Sequence, residues 1–131
     1  MQKNNKILLD TSAIIALIKK EKGYQIVDDI LATSAISTVN FSELIAALAR
    51  EGVSAEDIDS ITENIIPDII PFDHETSIVA GKLITTTNSK GLSLGDRACI
   101  ATALQLDLPV YTADKIWAEL DIANLKLKLI R

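Results

Sequence analysis

The chain has 131 residues, a formal net charge of -5, 48% hydrophobic and 24% charged residues, which describes one ordinary globular domain over residues 1–131 and excludes a disordered or low-complexity chain. Its single cysteine, Cys99, and single histidine, His74, exclude an intramolecular disulfide, a cysteine zinc cluster and a histidine-based metal site, and argue against a serine–histidine–aspartate triad. With 4% aromatics and an acidic balance, neither a surface of stacked rings nor a basic DNA coat is expected, whereas a metal site that gathers carboxylates is compatible with the charge.

Met1 to Lys6 resemble neither a signal nor a transit peptide. No apolar stretch reaches the roughly 20 residues needed to span a bilayer, so a cytoplasmic protein without membrane contact is expected. Ile7-Leu8-Leu9 reads as a short buried strand ending at Asp10. Ser12 is placed to cap a helix with Ile14, Ile15, Leu17 and Ile18 on its inner face. Gly23 breaks the chain before a second helix over Tyr24 to Ala32. Ala35 to Val39 is a β-branched strand. Asn40 is placed to cap a helix from Phe41 to about Arg50, and Ser54-Ala55-Glu56-Asp57 opens another, with Ile58, Ile61 and Ile65 buried.

Ile69 to Phe72 reads as a third strand, and Pro71 puts it at an edge because proline cannot donate to a ladder. Asp73 caps a predicted helix over His74 to Thr87 with Ile78, Val79, Leu83 and Ile84 inward. After a turn-rich loop, Ser93 or Gly95 starts a helix carrying Ala98, Ile100, Ala101 and Leu104, with Cys99 in the core. Val110-Tyr111-Thr112 and Lys126 to Ile130 are the last strands, with a short helix between them. This alternation predicts an α/β fold with a mostly parallel sheet of about five strands.

Ligands of open α/β sheets bind outside the carboxyl ends of the strands. Asp10 ends the first strand, Glu43 lies one turn into the helix after the second, Asp96 opens the helix before the fourth, and Asp114 follows that strand. Four crowded carboxylates repel one another and raise their pKa values. Magnesium or manganese, which take oxygen ligands, would relieve the repulsion and suit a phosphodiester substrate. Each acid also has a structural reading: a turn for Asp10, a capping box with Asn40 for Glu43, another with Ser93 for Asp96, and a short-helix cap for Asp114.

The combination resembles the PIN-domain ribonucleases, and most of all the VapC toxins of bacterial toxin–antitoxin pairs. It is carried by Leu8-Leu9-Asp10-Thr11-Ser12-Ala13, Ser42-Glu43-Leu44, Leu94-Gly95-Asp96-Arg97-Ala98-Cys99-Ile100-Ala101-Thr102-Ala103 and Tyr111-Thr112-Ala113-Asp114. The resemblance implies a three-layer α/β/α fold and a Mg2+- or Mn2+-dependent endoribonuclease. Asp10 and Asp96 would hold the ion, Glu43 and Asp114 would do so directly or through water, and Ser12 and Thr112 would support the site. It further implies hydrolysis of single-stranded or loop RNA, with transfer RNA a candidate, a homodimer, and a cognate VapB-like antitoxin through which alone DNA is contacted.

Two alternatives stand beside it. One is a non-catalytic PIN-like binding module, against which the four intact acids argue. The other is a receiver-like phosphoacceptor domain, which would place an acceptor acid after a middle strand and a lysine after a late one; here the Val110 strand ends in Thr112. The aliphatics Ile14, Ile15, Leu17, Ile18, Ile26, Val27, Ile30 and Leu31 exceed what one sheet face needs, and an antitoxin segment is expected to cover the surplus.

Overall fold

In the computed structural model, which describes residues 5–65 and 68–131, five short strands form one sheet. They are β1 (Ile7–Leu9), β2 (Ser34–Ser37), β3 (Ile69–Ile70), β4 (Val110–Thr112) and β5 (Leu127–Leu129), in the spatial order β3-β2-β1-β4-β5. Every pairing is parallel, and Leu8 at the centre is in register with Ala35 on one side and Val110 on the other. Parallel neighbours need crossovers. These are α1 (Thr11–Lys19) and α2 (Tyr24–Ile30) before β2, α3 (Thr38–Arg50) and α4 (Ala55–Ile65) before β3, then α5 (His74–Lys82), α6 (Ile84–Thr87) and α7 (Leu94–Leu106) before β4. A 3-10 turn, Lys115–Glu119, leads from β4 towards β5.

Successive strand residues face opposite sides. Leu9 and Ile36 join Ile14, Val27, Leu44 and Leu48 in one core, while Leu8, Ala35 and Val110 join Cys99, Ile100 and Trp117 in the other. Both faces of the sheet are therefore covered, which explains why β1 at its centre is continuously apolar. The result is the expected three-layer α/β/α arrangement, with β3 at an edge; the strand is shorter than expected, stopping at Ile70, so Pro71 lies just past it. Among the described residues no helix is long and apolar enough to cross a membrane. Of the N-terminal segment Met1 to Lys6, residues 1–4 lie outside the described residues.

Several local expectations are corrected. The cap of α1 is Asp10, whose side chain accepts from the Ala13 amide, and Ser12 sits inside the first turn. The strand runs straight into the helix, so the strand-terminal acid takes the capping position. Ala13, Ile14 and Ala16 form the buried face of α1, while Ile15, Leu17 and Ile18 are half-buried. Helix α3 starts at Thr38 under a Ser37 cap, so Asn40 lies within the helix and β2 ends earlier than expected. The predicted helix over His74 to Thr87 is two pieces. Ile78 is 45% exposed, because α5 packs on α7 and its small Thr76 and Ala80 are the buried positions; Ile84, in the separate α6, is 39% exposed. Of the eight surplus aliphatics, Ile14 and Val27 are fully buried and the other six are half-buried against the same core.

Gly23 precedes α2 in the left-handed region (φ 93°), and a Cβ there would overlap the Ile130 carbonyl oxygen. Only glycine serves both needs. The same corner is tied by Arg131, whose Nη1 donates to Glu21 Oε1 (3.2 Å) and the Lys22 carbonyl (3.1 Å).

Candidate active site

The strand order reverses between β1 and β4, since the chain adds β2 and β3 on one side of β1 and β4 and β5 on the other. Such a switch point opens a crevice at the carboxyl ends of the strands. Asp10 follows β1 at that crevice and is 3% exposed. Its Oδ1 accepts from Ser12 Oγ (2.7 Å) and the Ala13 amide (2.9 Å), and its Oδ2 accepts from Thr112 Oγ1 (2.6 Å). The Asp114 amide donates to Thr112 Oγ1 (3.0 Å) and the Ala113 amide to Ser12 Oγ (2.9 Å). The two hydroxyls thus lock the ends of β1 and β4 around one carboxylate. Thr112 is wholly buried, so it orients Asp10 from behind rather than lining the cleft.

Glu43 stands in the second turn of α3. Its Oε1 accepts from Thr11 Oγ1 (2.7 Å) and Asn40 Nδ2 (3.0 Å). Asn40, 1% exposed, also donates to the Gly95 carbonyl (3.2 Å) and accepts from Ser37 Oγ (2.8 Å). One amide therefore joins β2, α3 and the start of α7. Asp96, at the third position of α7, forms a true capping box: its Oδ2 accepts from the Ser93 amide (2.9 Å) while Ser93 Oγ accepts from the Asp96 amide (3.2 Å). Asp114 caps the 3-10 turn through Ile116 (3.1 Å). Capping and clustering coexist in both acids.

Asp10, Glu43, Asp96 and Asp114 line one cleft of about 450 Å³, together with Thr11, Ser12 and Arg50. Asp73 is outside it; its side chain caps α5 by accepting from the Thr76 amide (2.9 Å). Burial pushes the Asp10 carboxyl up to about 6 against its three hydrogen bonds, with the Asp96 charge adding to the rise. Asp96 is also raised, first by burial, then by the charges of Asp114 and Glu43 against its bonds to Ser93. Among the described residues no three acid, histidine or cysteine side chains form a ready-made metal cage; each carboxylate is held by its own local donors.

The donor set is nevertheless all oxygen. Glu43 engages its donors through Oε1 alone, Asp96 through Oδ2 and Asp114 through Oδ1, which leaves one further oxygen on each. A loose oxygen set around a buried carboxylate suits a hard cation that retains waters. Gly95 adds a cradle: a Cβ there would overlap the Glu43 carboxylate. Thr11, Asn40, Gly95 and Arg50 escaped the sequence reading as site residues. The available signal was the Asn40–Glu43 spacing, which fits a side-chain pair on one helix face as well as a cap.

Asp10 has a measurable signature. A carboxyl whose pKa rises from 3.8 to about 6 on folding stabilises the fold in its protonated form. That contribution is complete below about pH 4 and is lost as pH rises through 6; the loss by neutral pH is roughly 3 kcal/mol. Asparagine at this position keeps the Ser12 and Ala13 bonds and reverses the one to Thr112. In EDTA, Asp10→Asn is expected to melt near wild type at pH 4 and about 5–10 °C higher at pH 7. A difference that does not change with pH would contradict the assignment.

A family model for the PIN domain matches residues 7–123. Among curated proteins, none matches the sequence significantly. Among solved structures, VapBC2 of Rickettsia felis bound to a promoter DNA fragment is similar with a TM-score of 0.73 and 22% identity, over 95% of this chain and 98% of that one. DNA-bound VapBC of Salmonella typhimurium gives 0.74 and 17%, over 96% and 98%. VapC20 of Mycobacterium tuberculosis, described as a sarcin–ricin loop cleaving toxin, gives 0.71 and 13%, over 92% and 98%.

Proposed function

The chain belongs to the PIN-domain family, and on that premise we propose that it is a Mg2+- or Mn2+-dependent endoribonuclease and the toxin of a toxin–antitoxin pair. The carrying observation is the meeting of four carboxylates from separate segments in one cleft at the sheet's switch point. Asp10 and Asp96 would hold the ion, with Glu43 and Asp114 bound directly or through water. The ion when bound polarises the phosphodiester and lowers the pKa of the attacking water. Thr112 and Ser12 fix the Asp10 carboxylate, while Thr11 and Asn40 fix Glu43. The raised Asp10 pKa means that a cation competes with a proton for this site as the pH falls below about 6.

The toxin reading draws on the VapBC complexes that share the fold. Both are DNA-bound VapBC assemblies, and VapBC-5 of Mycobacterium tuberculosis belongs to a family of toxin-antitoxin systems; this supports a VapB-like antitoxin here and DNA contact through that antitoxin. An antitoxin arginine or lysine reaching the cleft would pair with Asp10, Asp96 or Glu43 and compete with the metal. A homodimer, a cytoplasmic location and single-stranded or loop RNA, with transfer RNA a candidate, complete the reading. The test is incubation with RNA at matched ionic strength. Cleavage is expected with magnesium or manganese, to vanish in EDTA, and to return with excess metal; equal cleavage in EDTA would sink the metal mechanism.

A further inference from the structure

A second groove, about 580 Å³, adjoins the carboxylate cleft, and Glu43 and Ala46 line both. Its apolar walls are Val39, Phe72 and Leu94, with the hydroxyl residues Thr38 and Ser42 beside them. The Phe72 amide donates to Thr38 Oγ1 (3.0 Å), which fixes the backbone that carries the ring. Leu94 is 53% exposed although it sits two residues from Asp96. Leu94 does not stand alone: with Val39 and Phe72 it makes one apolar wall next to the carboxylates, and a grouped apolar wall of this kind is what a ligand covers.

Helix α3 orders three chemistries along one axis. Val39 and Ser42 belong to the groove, Glu43 and Ala46 to both spaces, and Arg50 to the cleft alone. From Val39 to Arg50 the rise is about 16 Å, a span of a few nucleotides. Arg50 is the one cation among the described residues lining the cleft and enters none of the ion pairs among them. The series apolar, acidic, cationic matches base, metal-assisted phosphodiester and neighbouring phosphate along one strand of RNA. The apolar part is three side chains wide, the scale of one base, and hydroxyls beside it suit base edges.

We propose that this groove seats the nucleobase flanking the scissile phosphate, with Phe72 and Leu94 as its platform, and with Arg50 contacting a phosphate on the far side of the cut. The proposal rests on the ribonuclease reading above. It is tested with the full chain, magnesium, and a single-stranded RNA whose cleaved bond has been mapped, compared with copies lacking the base on one or the other side of that bond. Wild type is expected to lose about tenfold in kcat/KM, mainly through KM, when one of the two bases is absent. Phe72→Ala and the exposed Leu94→Ser should lose a similar factor on intact RNA and nothing more on that base-free copy. Losses that multiply, or a wild type indifferent to both bases, would overturn the groove while leaving the nuclease standing. So would a Leu94→Ser protein that cleaves normally but sediments as a smaller species, since the groove would then join two copies. A wild type that cuts no RNA with either metal overturns both readings.

Discussion

Asp96→Asn should yield a folded protein that cleaves RNA roughly 10²–10³-fold more slowly, the scale seen when one group that stabilises charge at the reacting centre is removed. Asparagine retains an oxygen for the Ser93 amide, and its own amide still donates to Ser93 Oγ, so the capping box that starts α7 survives. What disappears is the charge facing Glu43 and Asp114, whose fields help raise the Asp96 pKa. The apo protein should therefore melt no lower than wild type at neutral pH, and its melting point should respond less to magnesium. Asp73→Asn is the control: it caps α5 in the same chemical manner but lies outside the cleft, and turnover should be unchanged. Retained cleavage in Asp96→Asn would reduce Asp96 to a helix cap.

Gly95→Ala is expected to lower activity by about two orders of magnitude, because misplacing a reacting group by about 1 Å can cost that much. Helix propensity alone favours alanine over glycine by about 1 kcal/mol inside α7. The new methyl would overlap the Glu43 carboxylate, the mobile end of a flexible side chain rather than backbone. Glu43 can swing away at little cost to the fold, but it then leaves Thr11 Oγ1 and Asn40 Nδ2. Thermal melting should stay within a few degrees of wild type while RNA cleavage collapses. A substantial fall in melting temperature with normal cleavage would show that Gly95 serves packing alone.

Much of this arrangement was legible along the chain. The run Ile7-Leu8-Leu9 ending at Asp10 marks a buried strand with an acid at its carboxyl end, and Pro71, just past β3, stands beside a sheet edge. Asp10, Glu43, Asp96 and Asp114 were legible as acids at strand ends and helix starts, and the structure gathers them in one cleft. The cap of α3 was misplaced by three residues because Ser37 and Asn40 both have capping chemistry, and only the hydrogen bonds of the folded chain choose between them. The inward face of α5 was misread because periodicity weighs large aliphatics. The contact with α7 is close enough that Thr76 and Ala80 take it and Ile78 is turned out. Gly95 and Thr11 were illegible as site residues because their roles exist only across segments: Gly95 makes room for a side chain 52 positions earlier in sequence, and Thr11 bonds to one 32 positions away.

Cys99 lies on α7, one turn below Asp96, fully buried against the sheet. Burial first, and then the charges of Asp10, Asp96 and Glu43, push its thiol well above the ordinary range. Alkylating and oxidising reagents consume the thiolate, so within the intact fold this sulfur has almost no chemistry. It becomes reactive when α7 lifts from the sheet and water reaches the interior. The chain thus carries a clock of its own opening: the rate at which a thiol reagent marks Cys99 counts excursions of the segment that holds Asp96, with no label added and no residue of the cleft disturbed.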